Sequence, residues 1–353
     1  MQKLTLMLLV VAGCSSQSAP GDLLTLEGAL DQCTVMNPCD PRCEQFCDRH
    51  PEWPICTGVC DGGGEPDASG GETPSADAGV PSSGDCSIVV TAGQSPTLSD
   101  VAASVEPGDV ICLAGTFTTA HAIGSTGRNG VLLASLTANG TPEAPITLMG
   151  LPGGTHRIQG DFPPAGPTNL AVNVAGNYWV VRDLVLRTAI ITVNNGATHD
   201  VWIVDNDVAE AVAPDGNFGL IRLLDGGDAG PFDIFVQDNY VHDLYTCAST
   251  ATTPCAPGAA AIPWTTYSGE NEACLTVQGT SGGVIEFRNN VVERCSSVLY
   301  FKRERPGLTV VEGNTFRDAQ RLGRCRNLNM QFAGNTLANV GGLDASSDRC
   351  ETR

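Results

Sequence analysis

Lysine is almost missing from this chain. Lys3 and Lys302 are the two that occur among 353 residues, and arginine supplies the rest of the positive charge. Bases are scarce altogether: 19 Lys and Arg stand against 39 Asp and Glu, a formal net charge of −20. A field of that sign excludes a general nucleic-acid binder, which needs a basic surface. Aromatic residues are only 5 %, so a core built on large rings is not expected. The apolar run Leu4–Val11 is too short to span a bilayer as a permanent helix. There is no CxxC pair, no nucleotide-binding glycine loop, and no Ser/His/Asp arrangement that can be placed. What the chain has instead is glycine, 41 residues of it, as suits a structure with many turns.

It also has a repeated phrase. The phrase reads VIEFRNNVVERC at 284–295, LTVVEGNTFRDA at 308–319 and LNMQFAGNTLANV at 328–340. Earlier copies are VWIVDNDVAEA at 201–211 and DIFVQDNYVHDL at 233–244, with the variant WVVRDLVLRTA at 179–189. Aligned, they put Asn206, Asn239, Asn290, Asn314 and Asn335 in one column, with Leu184 in that place in the first copy. Two residues later stand Leu186, Val208, Val241, Val292, Phe316 and Leu337. Three residues before stand Val181, Ile203, Val236, Phe287, Val311 and Phe332.

Each phrase is a short alternating strand, a turn at Asn and a second short strand. A repeat of roughly two dozen residues without helical periodicity points to a β-solenoid. Asn tolerates left-handed backbone and can bond neighbouring backbone, so stacked turns can share a ladder of amides. Unrelated hairpins would not hold three columns in register over six copies.

The N-terminal quarter is different. Lys3, the apolar run and Val11-Ala12-Gly13-Cys14 fit an export signal. They resemble the bacterial lipoprotein signal, in which the peptide is cut before a Cys that is then lipidated. The resemblance implies residues 1–13 as signal peptide, Cys14 as the lipidated residue, and an anchor in the cell envelope. Ser15 and Ser16 follow Cys14 with no Asp, which in many bacteria favours the outer membrane. Cys33, Cys39, Cys43, Cys47, Cys56 and Cys60 crowd the stretch 14–60, which reads as a small cystine-rich module rather than a metal site. Residues 61–85 are rich in Gly, Pro, Ser, Ala and Asp, a disordered, flexible linker. The remaining cysteines fall as Cys86 and Cys112, Cys247 and Cys255, Cys274 and Cys295, Cys325 and Cys350. Local pairing is expected.

Residues 86–353 form the solenoid. A strand at Ser87–Val90, a helical stripe over Thr97–Val105, a turn at Glu106–Asp109 and the strand VICLAGTF at 110–117 come first. That order resembles the N-terminal cap of right-handed parallel β-helices. APITLMGLPGGTHRIQGDF at 144–162 and NLAVNVAGNYWVVRDLVLR at 169–187 also resemble that superfamily, which includes pectate, alginate and chondroitin lyases. The resemblance covers about residues 86–340 and implies an all-β, right-handed parallel β-helix. Coil patterns report stacking and not chemistry.

In that fold a first strand precedes each phrase. Segments 171–176, 190–196, 220–226, 274–280 and 298–304 supply it. Alternation turns Val172, Val174, Ile191, Val193, Ile221, Leu223, Leu275, Val277, Leu299 and Phe301 inward. Asn173, Thr192, Arg222, Thr276 and Tyr300 share an outward column, and Ala175, Asn194, Leu224, Gln278 and Lys302 the next. The resemblance makes this face the substrate groove. It makes Asn173, Thr192, Asn194, Thr276, Gln278 and Tyr300 substrate-binding positions.

Lys302 is the lysine that follows the signal peptide, and it sits among Arg303, Glu304 and Arg305. A solvated surface lysine explains it without chemistry. The chemical reading is a uronate lyase, whose base removes the proton α to a carboxylate. Cations nearby favour the neutral amine, and Arg222 or Arg303 can grip the carboxylate. Lyases of this fold use a lysine base with an arginine, or calcium. Asp225 and Asp228 could supply two ligands to a Ca2+ ion, although free surface acids explain them as well. A hydrolase would need paired groove carboxylates, and the columns show none beyond Asp225. Tyr245–Glu272 reads as an insertion over the groove, with Trp264 and Tyr267 suited either to sugar rings or to packing on the solenoid.

These readings converge on a monomeric, lipid-anchored protein that is expected to contact polysaccharide, with an anionic polymer as one candidate, outside the cell. Cleavage by β-elimination and non-catalytic adhesion are the two forms of that role.

Overall fold

The computed structural model describes residues 86–125, 130–162, 169–194, 196–213, 218–224, 232–247, 261–262, 272–279, 282–303, 307–324 and 329–341. They form a parallel β-helix. Three strand stacks run along it. Sheet A holds the first half of each phrase, as in Trp179–Arg182, His199–Val204, Phe232–Gln237, Ile285–Arg288, Thr309–Glu312 and Met330–Ala333. Sheet B holds the second half, as in Val185–Arg187, Asp207–Ala209, Tyr240–His242, Val291–Glu293, Thr315–Ala319 and Thr336–Val340. Sheet C holds Val131–Leu136, Leu170–Val174, Ala189–Asn194, Ile221–Leu224, Leu275–Val277, Ser297–Phe301 and Arg321–Arg324. Sheets A and B start from one strand, Val110–Phe117. Its first half pairs with Ile146–Gly150 and its second half with His156–Gln159. The bend falls at Gly115, whose φ of +86° is costly for other residues.

The columns read from the sequence are the registers observed. Val181, Ile203, Val236, Phe287, Val311 and Phe332 are successive partners in sheet A. Leu186, Val208, Val241, Val292, Phe316 and Leu337 are successive partners in sheet B. The ten sheet C residues assigned inward are all buried. Because each coil stacks identical positions, one continuous apolar core forms from β-branched and aliphatic side chains.

The Asn column is a ladder inside the turns. Asn206 Nδ2 donates to Asn239 Oδ1 at 3.0 Å, Asn239 to Asn290 at 3.0 Å, Asn290 to Asn314 at 2.9 Å, and Asn314 to Asn335 at 2.8 Å. Each Oδ1 also accepts the backbone N–H of the Asn one coil earlier, and Asn206 Oδ1 accepts from Leu184. One detail differs from expectation. The left-handed residue is the one before the Asn, namely Asp183, Asp205, Asp238, Asn289, Gly313 and Gly334. A second left-handed set closes sheet B: Thr188, Glu210, Asp243, Arg294, Asp318 and Asn339. Two reversals per coil let a three-residue strand sit between two corners.

The N-terminal end is capped as anticipated. The strand Ile88–Thr91 pairs with Val110–Phe117, and a short helix, Leu98–Ala102, covers the first coil. Thr97 and Asp100 form its capping box. Cys86–Cys112 ties this cap to the first coil with a Cα separation of 5.7 Å, and Cys274–Cys295 joins successive coils at 5.9 Å. Both were expected pairs. Cys255, Cys325 and Cys350, the side chain of Cys247, and the cystine-rich stretch lie outside the described residues.

Candidate functional site

Sheet C carries a polar row along its outer face. Ser135, Asn173, Thr192, Arg222, Thr276 and Tyr300 are Cα partners, strand after strand. Parallel stacking makes this inevitable, because outward positions of equal index must superpose. At the N-terminal end the row is a hydrogen-bonded chain. Thr192 Oγ1 donates to Asn173 Oδ1 at 2.9 Å, and Asn173 Nδ2 donates to Ser135 Oγ at 3.2 Å. Further along, Thr276 Oγ1 donates to Phe218 O at 3.0 Å, and the Arg222 guanidinium lies over the Phe218 ring, 5.4 Å from its centroid.

The row faces outward, yet much of it is covered. Thr192, Arg222, Thr276 and Tyr300 are at most 5 % exposed. A cause visible in the structure is the segment Phe218–Leu220. It bends across the start of its strand, so that Phe218 O also accepts from Ala273 N. The accessible positions are in the next row. Asn194 is exposed, Lys302 half-buried and Gln278 nearly covered, and Arg303, one residue past the row, is exposed. Lys302 N donates to Val277 O at 2.9 Å and Gln278 N to Leu223 O at 2.8 Å, which fixes Lys302 beside Gln278. Arg222 is two strands and two residues along from Lys302, roughly 12 Å between Cα atoms at about 4.8 Å per strand and about 3.3 Å per residue. Trp264, Tyr267, Asp225, Asp228 and Cys14 lie outside the described residues. Among the described residues no group of three or more His, Cys, Asp or Glu is placed to hold a metal ion.

A second constellation, on the outer face of sheet B, escaped the sequence reading. Arg187 grips Asp207 with both Nη atoms at 2.7 and 2.5 Å. Asp207 Oδ1 meets His242 Nε2 at 3.0 Å, and His242 Nδ1 meets Asp243 Oδ2 at 2.6 Å. Arg294 donates to both Asp243 oxygens at 2.6 and 2.9 Å. Glu293, only 1 % exposed, is held by Arg294, Arg317 and the Tyr240 hydroxyl, the last at 2.5 Å. Its signal in the sequence was the alternation around the Val column, which turns Asp207, Tyr240, His242, Glu293 and Arg317 to one side.

Burial works against charge on His242, but hydrogen bonds and charge from Asp207 and Asp243 outweigh it and raise its pKa. Burial likewise raises Asp243, and the hydrogen bonds and charges of His242 and Arg294 overcome it, leaving its pKa well below the usual carboxylate range. Both nitrogens of His242 are engaged by carboxylates, so it is a clamp and not a base. The charges are satisfied among themselves across successive coils. That makes sheet B a fastening.

The registers define a parallel β-helix protein independently of any likeness. No protein-family model matches the chain, and no curated protein matches it. Among solved structures it is similar to an alginate lyase from Paenibacillus sp. str. FPU-7, at 16 % identity over 72 % of this chain and 97 % of that one, with a TM-score of 0.36. It is similar to the pectate lyase Pel9A at 14 % identity over 76 % and 80 %, with a TM-score of 0.36. It is also similar to the PL6 family alginate lyase AlyGC at 15 % identity over 70 % and 40 %, with a TM-score of 0.34.

Proposed function

We propose that the outer face of sheet C binds an acidic polysaccharide and cleaves it by β-elimination, with Lys302 as the base. The observation that carries this reading is the register. Arg222 shares an outward column with Thr276 and Tyr300, and Lys302, whose N donates to Val277 O, follows the end of that strand, which supports a cationic patch on a protein whose net charge is −20. Lys302 Nζ takes the proton α to the uronate carboxylate. The electron pair left behind forms a double bond, the glycosidic C–O bond breaks, and the leaving oxygen takes a proton from water. Arg303, exposed beside the base, grips the carboxylate. Arg222, packed on Phe218, supplies a fixed positive charge to the floor. Asn173, Thr192, Asn194, Thr276, Gln278 and Tyr300 are the sugar-facing positions. Trp264 and Tyr267 supply stacking rings, and Asp225 and Asp228 are the residues for a Ca2+ ion where the substrate needs one.

A second reading, non-catalytic adhesion to the same polymer, is favoured by the burial of Arg222, Thr276 and Tyr300. Ultraviolet absorbance of the unsaturated uronate product separates the two readings.

We further propose that the protein works outside the cell as a monomer, held by lipid on Cys14, in the outer membrane. Cys86–Cys112 and Cys274–Cys295 support export, since such bonds persist in oxidising compartments. Fatty-acid labelling that survives in Cys14→Ala would refute the anchor.

A further inference from the structure

At the capped end of the solenoid there is a cavity of 440 Å³, bordered by Leu133 of the first long strand of sheet C. Its apolar side is made by Val90, Leu98, Phe117 and Leu133, all members of the core. Ile123, 47 % exposed, is at the mouth, and is one of the few large hydrophobic residues left in water. The polar side is made by Gln94, Ser95 and His121.

Three features define what would fit. First, the volume is in the range of small-molecule sites, roughly 300–1,000 Å³. Second, among the described residues no Asp, Glu, Lys or Arg lines the cavity. A charged ligand would find no counter-charge there and would lose its hydration. Third, hydrogen-bonding capacity is left over. His121 Nδ1 accepts from Thr118 N at 2.9 Å, so the ring hydrogen sits at Nε2. That Nε2 lies beside Gly93, where a Cβ would come within 3.4 Å of it. The side chains of Gln94 and Ser95 are exposed and form none of the hydrogen bonds within the protein. A plain alkyl or aryl ligand would press carbon against these groups. A neutral sugar has what the site asks for: an apolar ring face for Phe117 and Ile123, and hydroxyls for Gln94, Ser95 and His121.

We propose that this cavity is a binding site for a neutral sugar unit, separate from the acidic-polysaccharide face and independent of it. The test is saturation-transfer NMR on the full chain with two probes, methyl β-D-glucoside and methyl β-D-glucuronide. The glucoside should receive saturation from this cavity, while any saturation of the glucuronide, which the sheet C face can also give, should not depend on it. Ala120→Trp, on the short turn beside the cavity, fills it and should abolish transfer. The exposed pair Gln94→Ala and Ser95→Ala should weaken binding about tenfold without risk to the fold. Lys302→Ala should leave the glucoside signal unchanged. No transfer to the glucoside, a glucuronide signal that Ala120→Trp removes along with the glucoside signal, or glucoside transfer that persists in both the filled and the stripped variants overturns the proposal. If Ala120→Trp does not fold, the Gln94/Ser95 pair decides alone.

Discussion

His242 Nε2 meets Asp207 Oδ1 at 3.0 Å across two successive coils, while the opposite ring nitrogen is held by Asp243 at 2.6 Å. The imidazolium therefore joins one coil to the next. It stacks on Tyr240 at 4.0 Å between ring centroids, Arg294 Nη2 approaches it at 3.1 Å, Glu293 is its partner in register, and Arg187 backs Asp207. Its pKa is raised above the ordinary 6.5. Stability from this clamp is thus complete below about pH 6.5 and is lost as pH rises through the folded-state value. The carboxylates behave oppositely. Asp207 and Asp243 are lowered from 3.8, so their share is present above about pH 4 and lost only in stronger acid. Thermal midpoints from about pH 5 to about pH 9 check this. The gap between the protein and His242→Gln should be widest at the acid end and close toward the alkaline end. A gap that widens with pH would contradict the assignment.

Asn290 is buried at the centre of the amide ladder. Its removal in Asn290→Ala deprives Asn239 N of its acceptor and Val236 O of its donor. Two orphaned buried groups should cost about 2–4 kcal/mol. Asn335 ends the ladder where water reaches, and Asn335→Ala should cost about 1 kcal/mol. Denaturant titration of both variants measures the difference, and equal losses would show that the ladder is not cooperative with burial.

Glu293 is a buried carboxylate between two arginines. Glu293→Gln keeps the shape and removes the charge. Arg294 and Arg317 reach solvent in part, so the loss should be about 1–3 kcal/mol rather than that of a fully buried pair. The same titration reads it, and a neutral or stabilising result would mean that desolvation outweighs the pairing.

Cys274–Cys295 closes a segment of separation 21 and joins the corners that lead into two neighbouring strands of sheet C. Replacing both by Ser should lower stability by about 3 kcal/mol. It should also loosen the strands that carry Thr276 and Tyr300. Amide exchange of those strands is the local readout, and unchanged protection there would confine the effect to the unfolded state.

Most of the fold was legible because a solenoid writes its three-dimensional neighbours into its repeat. Val208 and Val241 occupy one column in the alignment and are Cα partners in the molecule. The columns of Asn173, Thr192 and Arg222 were readable for the same reason. Their burial was not, because cover depends on what lies across a face, as Phe218 does over Thr276. The strand Val131–Leu136 was missed, and Ser135 with it, since its phrase lacks the Asn. The sheet B network stayed hidden because Arg187, Asp207 and Glu293 belong to three different coils, and their meeting requires both the register and the two left-handed corners.

The most direct test of the central reading is product absorbance from the full chain incubated with polygalacturonate, alginate and chondroitin sulfate, each with and without calcium. A rise on at least one polymer that vanishes in Lys302→Ala, with the fold intact, is the predicted result. A rise that survives Lys302→Ala would remove that residue from the chemistry. No rise, with the polymer still retained by the protein, would contradict cleavage and leave adhesion. No rise and no retention would contradict the acidic-polysaccharide face altogether.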